Sequence, residues 1–226
     1  MKLIEYPDQD MMMIDVANQL AGELNEALMI HDAASFAVPG GSTPGPMFDV
    51  LCAADIEWHN VTVLLTDERW VPEDHEHSNA RLIRERLLVN RAAAADLMPV
   101  YSEGADPDDC IGPLSLGLQP HLPLSVLVLG MGADMHTASL FPGAEGLAQG
   151  LHDLAPGYFP IRQNGSGPVN WRMTLTAPVL NGAMSKHLVI TGAQKRAALE
   201  RAQKIDDPMQ APVAAILPGT TVHWAE

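Results

Sequence analysis

The chain has 226 residues, of which 47% are hydrophobic and 18% are charged, a composition that argues against intrinsic disorder. This length suits one α/β domain that buries a large core. The 28 acidic residues outnumber the 13 basic residues and give a net charge of −15, which argues strongly against a nucleic-acid-binding surface.

The sequence carries no signal for export or for a disulfide framework. Its apolar runs are shorter than the roughly 20 residues needed to span a bilayer, and residues 1–10 lack the order of a secretory signal. The two cysteines, Cys52 and Cys110, fit neither a disulfide framework nor a zinc site. We therefore expect a cytoplasmic protein without membrane contact, a monomer or small homo-oligomer, with one domain over residues 1–226.

The first predicted elements are an edge strand over residues 3–6 and an amphipathic helix over residues 8–31. Apolar side chains recur there at three- and four-residue spacing, and the polar face, which includes Glu23, is expected to meet water. A strand over residues 35–38 then runs into the turn Pro39-Gly40-Gly41-Ser42-Thr43-Pro44.

This glycine turn favours binding of an anion, because free backbone N–H groups and a helix dipole face outward from the sheet. Ser42 or Thr43 is expected to cap the next helix, with Pro44 in its first turn. An ordinary capped turn fits the same residues. The spacing does not match a P-loop, which argues against an ATPase.

Charged residues follow the next buried strand, over residues 61–65. Asp67, Glu68 and Arg69 are costly to bury unless they pair or contact a ligand, which favours function over a salt-bridged loop anchored by Trp70. His75 and His77 are predicted to lie in a solvated loop rather than to form a metal site. The elements predicted after this loop are a helix over residues 79–89 capped by Ser78, a short strand over residues 97–101, and a helix toward Leu118 that Gly112-Pro113 interrupts.

The apolar run over residues 125–129 predicts a buried parallel strand that ends at Gly130-Met131-Gly132. Ligands bind beyond the carboxyl ends of such strands, so the polar loop with Asp134 and His136 is a candidate site. His136 suits a general base, although a loop histidine without a role fits this stretch equally well. The loop lacks the third glycine of a dinucleotide fingerprint, which argues against NAD.

The remaining predicted elements are a short helix over residues 146–152, a strand over 158–161, a flexible loop over 164–168, a strand over 171–176, a short helix over 178–183, a strand over 186–190, a helix over 193–204, and strands over 213–217 and 221–224. Arg172 lies on one of these strands. Lys195 lies in the first turn of a helix, where a cation opposes the dipole and favours a nearby anion.

The sequence resembles the 6-phosphogluconolactonase family over most of its length. The matching motifs are Gly40-Gly41-Ser42-Thr43-Pro44, Thr66-Asp67-Glu68-Arg69-Trp70-Val71-Pro72 with Ser78-Asn79, Gly130-Met131-Gly132 with Asp134, His136-Thr137-Ala138-Ser139-Leu140-Phe141-Pro142-Gly143, Arg172-Met173-Thr174 and Gly192-Ala193-Gln194-Lys195. The chain departs from the family at Met135, where glycine is usual. If that loop needs a positive φ, methionine strains it by about 1 kcal/mol or more, or shifts His136.

The resemblance implies a three-layer α/β/α sandwich with a mostly parallel, Rossmann-like sheet and helices on both faces. It also implies hydrolysis of 6-phospho-D-glucono-1,5-lactone, the second step of the oxidative pentose phosphate pathway, without metal or organic cofactor. His136 would be the base, Asp67 or Asp134 would orient it, and Arg69 would stabilise developing charge or position the acid. The phosphate-binding residues would be Gly40, Gly41, Ser42, Thr43, Arg172 and Lys195.

Three alternatives remain open. Ser139 or Ser42 could form an acyl-enzyme, but neither lies in a G-x-S-x-G elbow, so direct attack by water is simpler. A glucosamine-6-phosphate deaminase-like enzyme typically has an Asn-Glu pair where this chain has Leu140-Phe141. A sugar-phosphate-sensing domain of a transcriptional regulator is disfavoured by the acidic charge and by the lack of a helix-turn-helix segment before residue 8.

Overall fold

The computed structural model describes residues 1–163, 171–205 and 207–226. A seven-stranded sheet has the order β1-β10-β9-β6-β2-β3-β5, and all its pairings are parallel. Its strands are β1 (Lys2–Glu5), β2 (Ala34–Val38), β3 (Val61–Leu65), β5 (Asp96–Leu97), β6 (Val126–Leu129), β9 (Ser185–Thr191) and β10 (Thr221–Ala225). A smaller antiparallel sheet consists of β4 (Asp67–Arg69), β8 (Trp171–Leu175) and β7 (Tyr158–Arg162).

The helices surround these sheets and complete the predicted three-layer α/β/α sandwich, which is confirmed. They are α1 (Gln9–Ile30), α2 (Gly45–Leu51), α3 (Asn79–Arg86), α4 (Ile111–Leu118), α5 (Leu147–Leu151), α6 (Ala177–Asn181) and α7 (Gly192–Ala202). Every residue of β2 and of β6 is buried, as expected of central parallel strands covered on both faces. No helix within the described parts of the chain is both long enough and apolar enough to span a membrane.

Helix α1 confirms its predicted length and register. The Asp8 carboxylate caps it by accepting a hydrogen bond from the Met11 N–H at 2.8 Å, and one face, which includes Val16 and Leu20, is buried in the core. The prediction for Glu23 was wrong. This side chain is only 22% exposed, because it accepts a hydrogen bond from Nε2 of His187 at 2.8 Å.

Several predicted boundaries were wrong. Residues 213–217 are not a strand, because Pro212–Ala215 forms a 3-10 helix; a short buried apolar run does not distinguish the two. Pro113 does not interrupt a helix, since it is the third residue of α4, where its missing N–H needs no partner. The strand expected over residues 97–101 is only Asp96–Leu97, and the helix expected over residues 79–89 ends at Arg86. The loop predicted over residues 164–168 lies outside the described residues.

A chain of buried and partly buried hydrogen bonds links the sheet to the N-terminal segment. Tyr6 bonds Nδ1 of His223 at 2.9 Å, Nε2 of His223 bonds Nδ1 of His187 at 3.0 Å, and His187 bonds Glu23. Both histidines are almost fully buried. Burial, followed by the neighbouring His187, lowers the pKa of His223 to about 4. His223 therefore stays neutral in the folded protein at neutral pH.

This depressed pKa predicts a loss of stability in acid. The unfolded chain takes up a proton at His223 near pH 6.5, whereas the folded chain resists it down to about pH 4. The free energy of unfolding should therefore fall as pH falls through this window, by up to about 1.4 kcal/mol per pH unit from this group. Urea unfolding at pH 7 and pH 5 should show a smaller fall for His223→Gln than for wild type or for the exposed-site control His59→Gln. Equal falls in all three proteins would contradict this assignment.

Candidate active site

Three loops at the carboxyl edge of the parallel sheet border one cavity of about 260 Å³. They follow β2, β3 and β6, and the first turn of α7 adds a fourth side. The cavity lining includes Gly40, Gly41, Ser42, Thr43, Asp67, Arg69, Asn79, Gly132, His136, Arg172 and Lys195. The structure thus brings together all the predicted site residues, with Asp134 placed behind the imidazole rather than on the cavity wall.

Asp134 holds the imidazole of His136. The two atoms Nδ1 and Oδ1 lie 2.5 Å apart, and the same carboxylate oxygen accepts the backbone N–H of His136 at 3.3 Å. The hydrogen bond from the imidazole lowers the pKa of Asp134, so this carboxylate is ionised at neutral pH. A proton held on Nδ1 leaves Nε2 of the neutral ring to act as the acceptor.

The backbone of this loop is unusually tight. Met135 has a φ of +69°, the left-handed conformation that glycine adopts without strain, and its carbonyl accepts a hydrogen bond from the Val213 N–H at 3.1 Å. A Cβ on Gly132 would lie 2.2 Å from Cε1 of His136, so only glycine allows the imidazole to approach the backbone there. The methionine departure therefore carries backbone strain, while His136 still borders the cavity.

Asp67 does not orient the imidazole. Its Oδ2 accepts the Ser139 hydroxyl hydrogen at 2.6 Å, and the Ser139 N–H donates to Oγ1 of Thr174 at 3.1 Å. Ser139 is fully buried and does not line the cavity, which argues against this residue as a nucleophile. The hydrogen bond between Asp67 and Ser139 instead connects the small antiparallel sheet to the loop that carries His136.

Glu68 links strand β4, which carries Arg69, to helix α3. Its buried carboxylate accepts the N–H groups of Arg69, Asn79 and Ala80 at 2.7 Å each, and the Ser78 hydroxyl at 3.1 Å. Burial raises its pKa, and the four donors stabilise the charge that burial opposes. Ser78 also caps α3, as predicted, by accepting from the Arg81 N–H.

The cations of the site lie close together. Arg69 on β4 and Arg172 on β8 are direct cross-strand partners, an arrangement that repulsion between like charges disfavours. Nη1 of Arg172 lies 3.9 Å from Oδ2 of Asp67, and burial lowers the pKa of Arg172. Burial also lowers the pKa of Lys195. A bound anion would offset both the repulsion and the loss of solvation.

The glycine turn reaches the cavity, but its hydroxyls do not cap a helix. Helix α2 begins at Gly45, with Pro44 as its N-cap and no side-chain cap, so the predicted cap by Ser42 or Thr43 was wrong. Both residues line the cavity instead, beside Gly41 with its φ of +87°. The turn therefore offers hydroxyls and backbone groups to a ligand.

No group of three or more histidine, cysteine and acidic side chains in the described parts of the chain could hold a metal ion. His75 and His77 contact each other at a ring separation of 5.4 Å.

Sequence reasoning assigned no role to Asn79 or Gly132, although both line the cavity. Asn79 packs on Gly40, which is distant in sequence, whereas Gly132 packs on His136 of its own loop, so both matter through a close approach that only the folded structure shows. Asn79 was visible only as part of a family motif, and Gly132 only as one glycine of a loop.

The chain is similar to one group of known proteins. A profile of the family described as Glucosamine-6-phosphate isomerases/6-phosphogluconolactonase matches residues 7–224. Curated 6-phosphogluconolactonases from Pseudomonas aeruginosa and Caulobacter vibrioides are each 38% identical over 216 residues, which cover 92% and 93% of this chain and 88% and 91% of the relatives. The crystal structure of a 6-phosphogluconolactonase from Shewanella baltica has a TM-score of 0.94 at 30% identity, and covers 100% of this chain and 97% of that one.

Proposed function

The chain belongs to the Glucosamine-6-phosphate isomerases/6-phosphogluconolactonase family, and from this we propose that it hydrolyses 6-phospho-D-glucono-1,5-lactone to 6-phospho-D-gluconate. This reaction is the second step of the oxidative pentose phosphate pathway. The observation that carries the proposal is one cavity bordered by an Asp134-held imidazole and by three cationic side chains. The names of the curated relatives support the same reaction.

In the proposed mechanism, His136 acts as a general base toward water. Nε2 removes a proton as the water oxygen bonds to the lactone carbonyl carbon, and the guanidinium of Arg69 stabilises the negative charge that develops on the carbonyl oxygen. The bond from that carbon to the ring oxygen then breaks, and Nε2 returns its proton to the departing oxygen. Asp134 accepts the hydrogen bond from the Nδ1–H group throughout, so the ring keeps one tautomer.

The phosphate is proposed to bind at the other side of the same cavity. Gly40, Gly41, Ser42 and Thr43 supply backbone and hydroxyl groups there. Arg172 and Lys195 supply the positive charge for a dianion, and its binding would offset the desolvation that lowers the pKa of both. With these cations beside the phosphate, a protein of net negative charge can bind an anionic substrate.

Removal of the imidazole should abolish most of the activity. His136→Asn and His136→Ala should lower kcat for the lactone by roughly 100-fold or more, since a positioned acid–base group contributes about that factor. The assay follows acid release at fixed pH after subtraction of spontaneous hydrolysis. The exposed-site control His59→Asn should match wild type. Wild-type turnover by a folded His136 variant would remove this residue from the mechanism.

Removal of a phosphate-side cation should affect binding selectively. Arg172→Ala and Lys195→Ala should each raise KM for the phosphorylated lactone by roughly 10-fold or more, the scale of a lost charge-assisted hydrogen bond. KM for unphosphorylated glucono-1,5-lactone should change much less. Lys204→Ala, an exposed lysine just after α7, is the control. Equal losses on both lactones would contradict the phosphate role.

A further inference from the structure

Asn79 makes an unusually complete set of contacts for a residue beside a cavity. It is 2% exposed, Oδ1 accepts from Nη1 of Arg69 at 2.9 Å, and Nδ2 donates to the Asp67 carbonyl at 2.8 Å. Its backbone N–H donates to Glu68. Because one end of the amide faces a cation and the other a carbonyl, a flipped side chain would lose both bonds.

These contacts fix Arg69 through one nitrogen. Nη1 donates to Oδ1 of Asn79 and to the His77 carbonyl at 2.8 Å, which uses both of its hydrogens. Nε is buried and has no partner among the residues that the structure describes. A guanidinium held in this way leaves Nη2, which makes no hydrogen bond to the described residues, to donate toward the carbonyl oxygen on which charge develops.

The same amide also contacts the glycine turn. A Cβ added to Gly40 would lie 1.8 Å from Oδ1 of Asn79, so the side chain packs directly on the turn proposed to bind phosphate. Asn79 thus fixes the separation between this turn and the guanidinium of Arg69. A larger residue at position 40 would displace the amide that holds Arg69.

We propose that Asn79 is a positioning residue that acts through Arg69, holding its guanidinium by Nη1 so that Nη2 serves the substrate. This inference rests on the proposed lactonase function. Asn79 itself has no role in proton transfer. Removal of the Asn79 side chain lets the Arg69 guanidinium rotate, so its positive charge is no longer preorganised toward the substrate.

A double-mutant cycle on kcat/KM tests this coupling. Asn79→Ala should lower kcat/KM by about 10- to 100-fold in the wild-type background, the scale of a lost hydrogen bond to a charged group. The same change in an Arg69→Lys background should cost less than about 3-fold, because the forked guanidinium is already gone. Equal losses in both backgrounds would overturn the proposal, since Asn79 would then act independently of Arg69.

Asn181 provides a control that matches Asn79 in its hydrogen bonds, although Asn181 is exposed and Asn79 is buried. Its Nδ2 also donates to a backbone carbonyl, that of Ala215 at 3.0 Å, and its Oδ1 also accepts from a cation, Nζ of Lys186 at 3.1 Å, but it does not line the cavity. Asn181→Ala should keep wild-type kcat and KM, even if its melting temperature falls. A loss of kcat/KM equal to that of Asn79→Ala would assign both effects to stability and overturn the proposal.

Equilibrium binding separates this inference from the proposed activity. Asn79→Ala removes the acceptor that holds Nη1 of Arg69, so calorimetric affinity for 6-phosphogluconate, whose carboxylate replaces the reacting carbonyl, should fall by about 10-fold or more. Unchanged affinity in a folded Asn79→Ala protein would overturn the positioning role. A wild-type protein that binds 6-phosphogluconate but does not hydrolyse the lactone would overturn the proposed function instead.

Discussion

The hydrogen bond between the Ser139 hydroxyl and the Asp67 carboxylate joins the two halves of the candidate site. It is 2.6 Å long and both residues are buried, so breaking it would leave Oδ2 of Asp67 with only the more distant guanidinium of Arg172, at 3.9 Å, among the described residues. Asp67 begins the strand that carries Arg69, and Ser139 lies in the loop that carries His136. This contact therefore holds the guanidinium and the imidazole on walls of the same cavity.

The cavity is lined by positive side chains although the chain as a whole is acidic. The protein has a net charge of −15, yet Arg69, Arg172 and Lys195 converge on one cavity, and burial lowers the pKa of Arg172 and Lys195. Such a cluster is costly in the free protein and becomes favourable once an anion lies between its members. The site thus favours a compact, strongly anionic ligand, in agreement with the proposed sugar phosphate.

The sequence predicted the parallel sheet because buried parallel strands are continuous apolar runs. Such runs can be recognised without knowing which strands they pair with. The sequence also predicted that the loops after these strands meet at one edge, where they border one cavity. It could not predict the small sheet, because β4 is the charged segment Asp67–Arg69 and pairs with a strand about a hundred residues away. The choice between Asp67 and Asp134 as partner of the imidazole likewise depended on tertiary contacts.

The central claim is that one cavity holds a phosphate at one side and presents Nε2 of His136 to a carbonyl carbon at the other. A crystal structure with 6-phosphogluconate bound tests it most directly. We expect the phosphate on Gly41, Ser42 and Thr43 beside Lys195, and a carboxylate oxygen within about 3 Å of Nε2, the reach of a general base. A product carboxylate that lies away from His136, or a phosphate bound outside this cavity, would contradict the account.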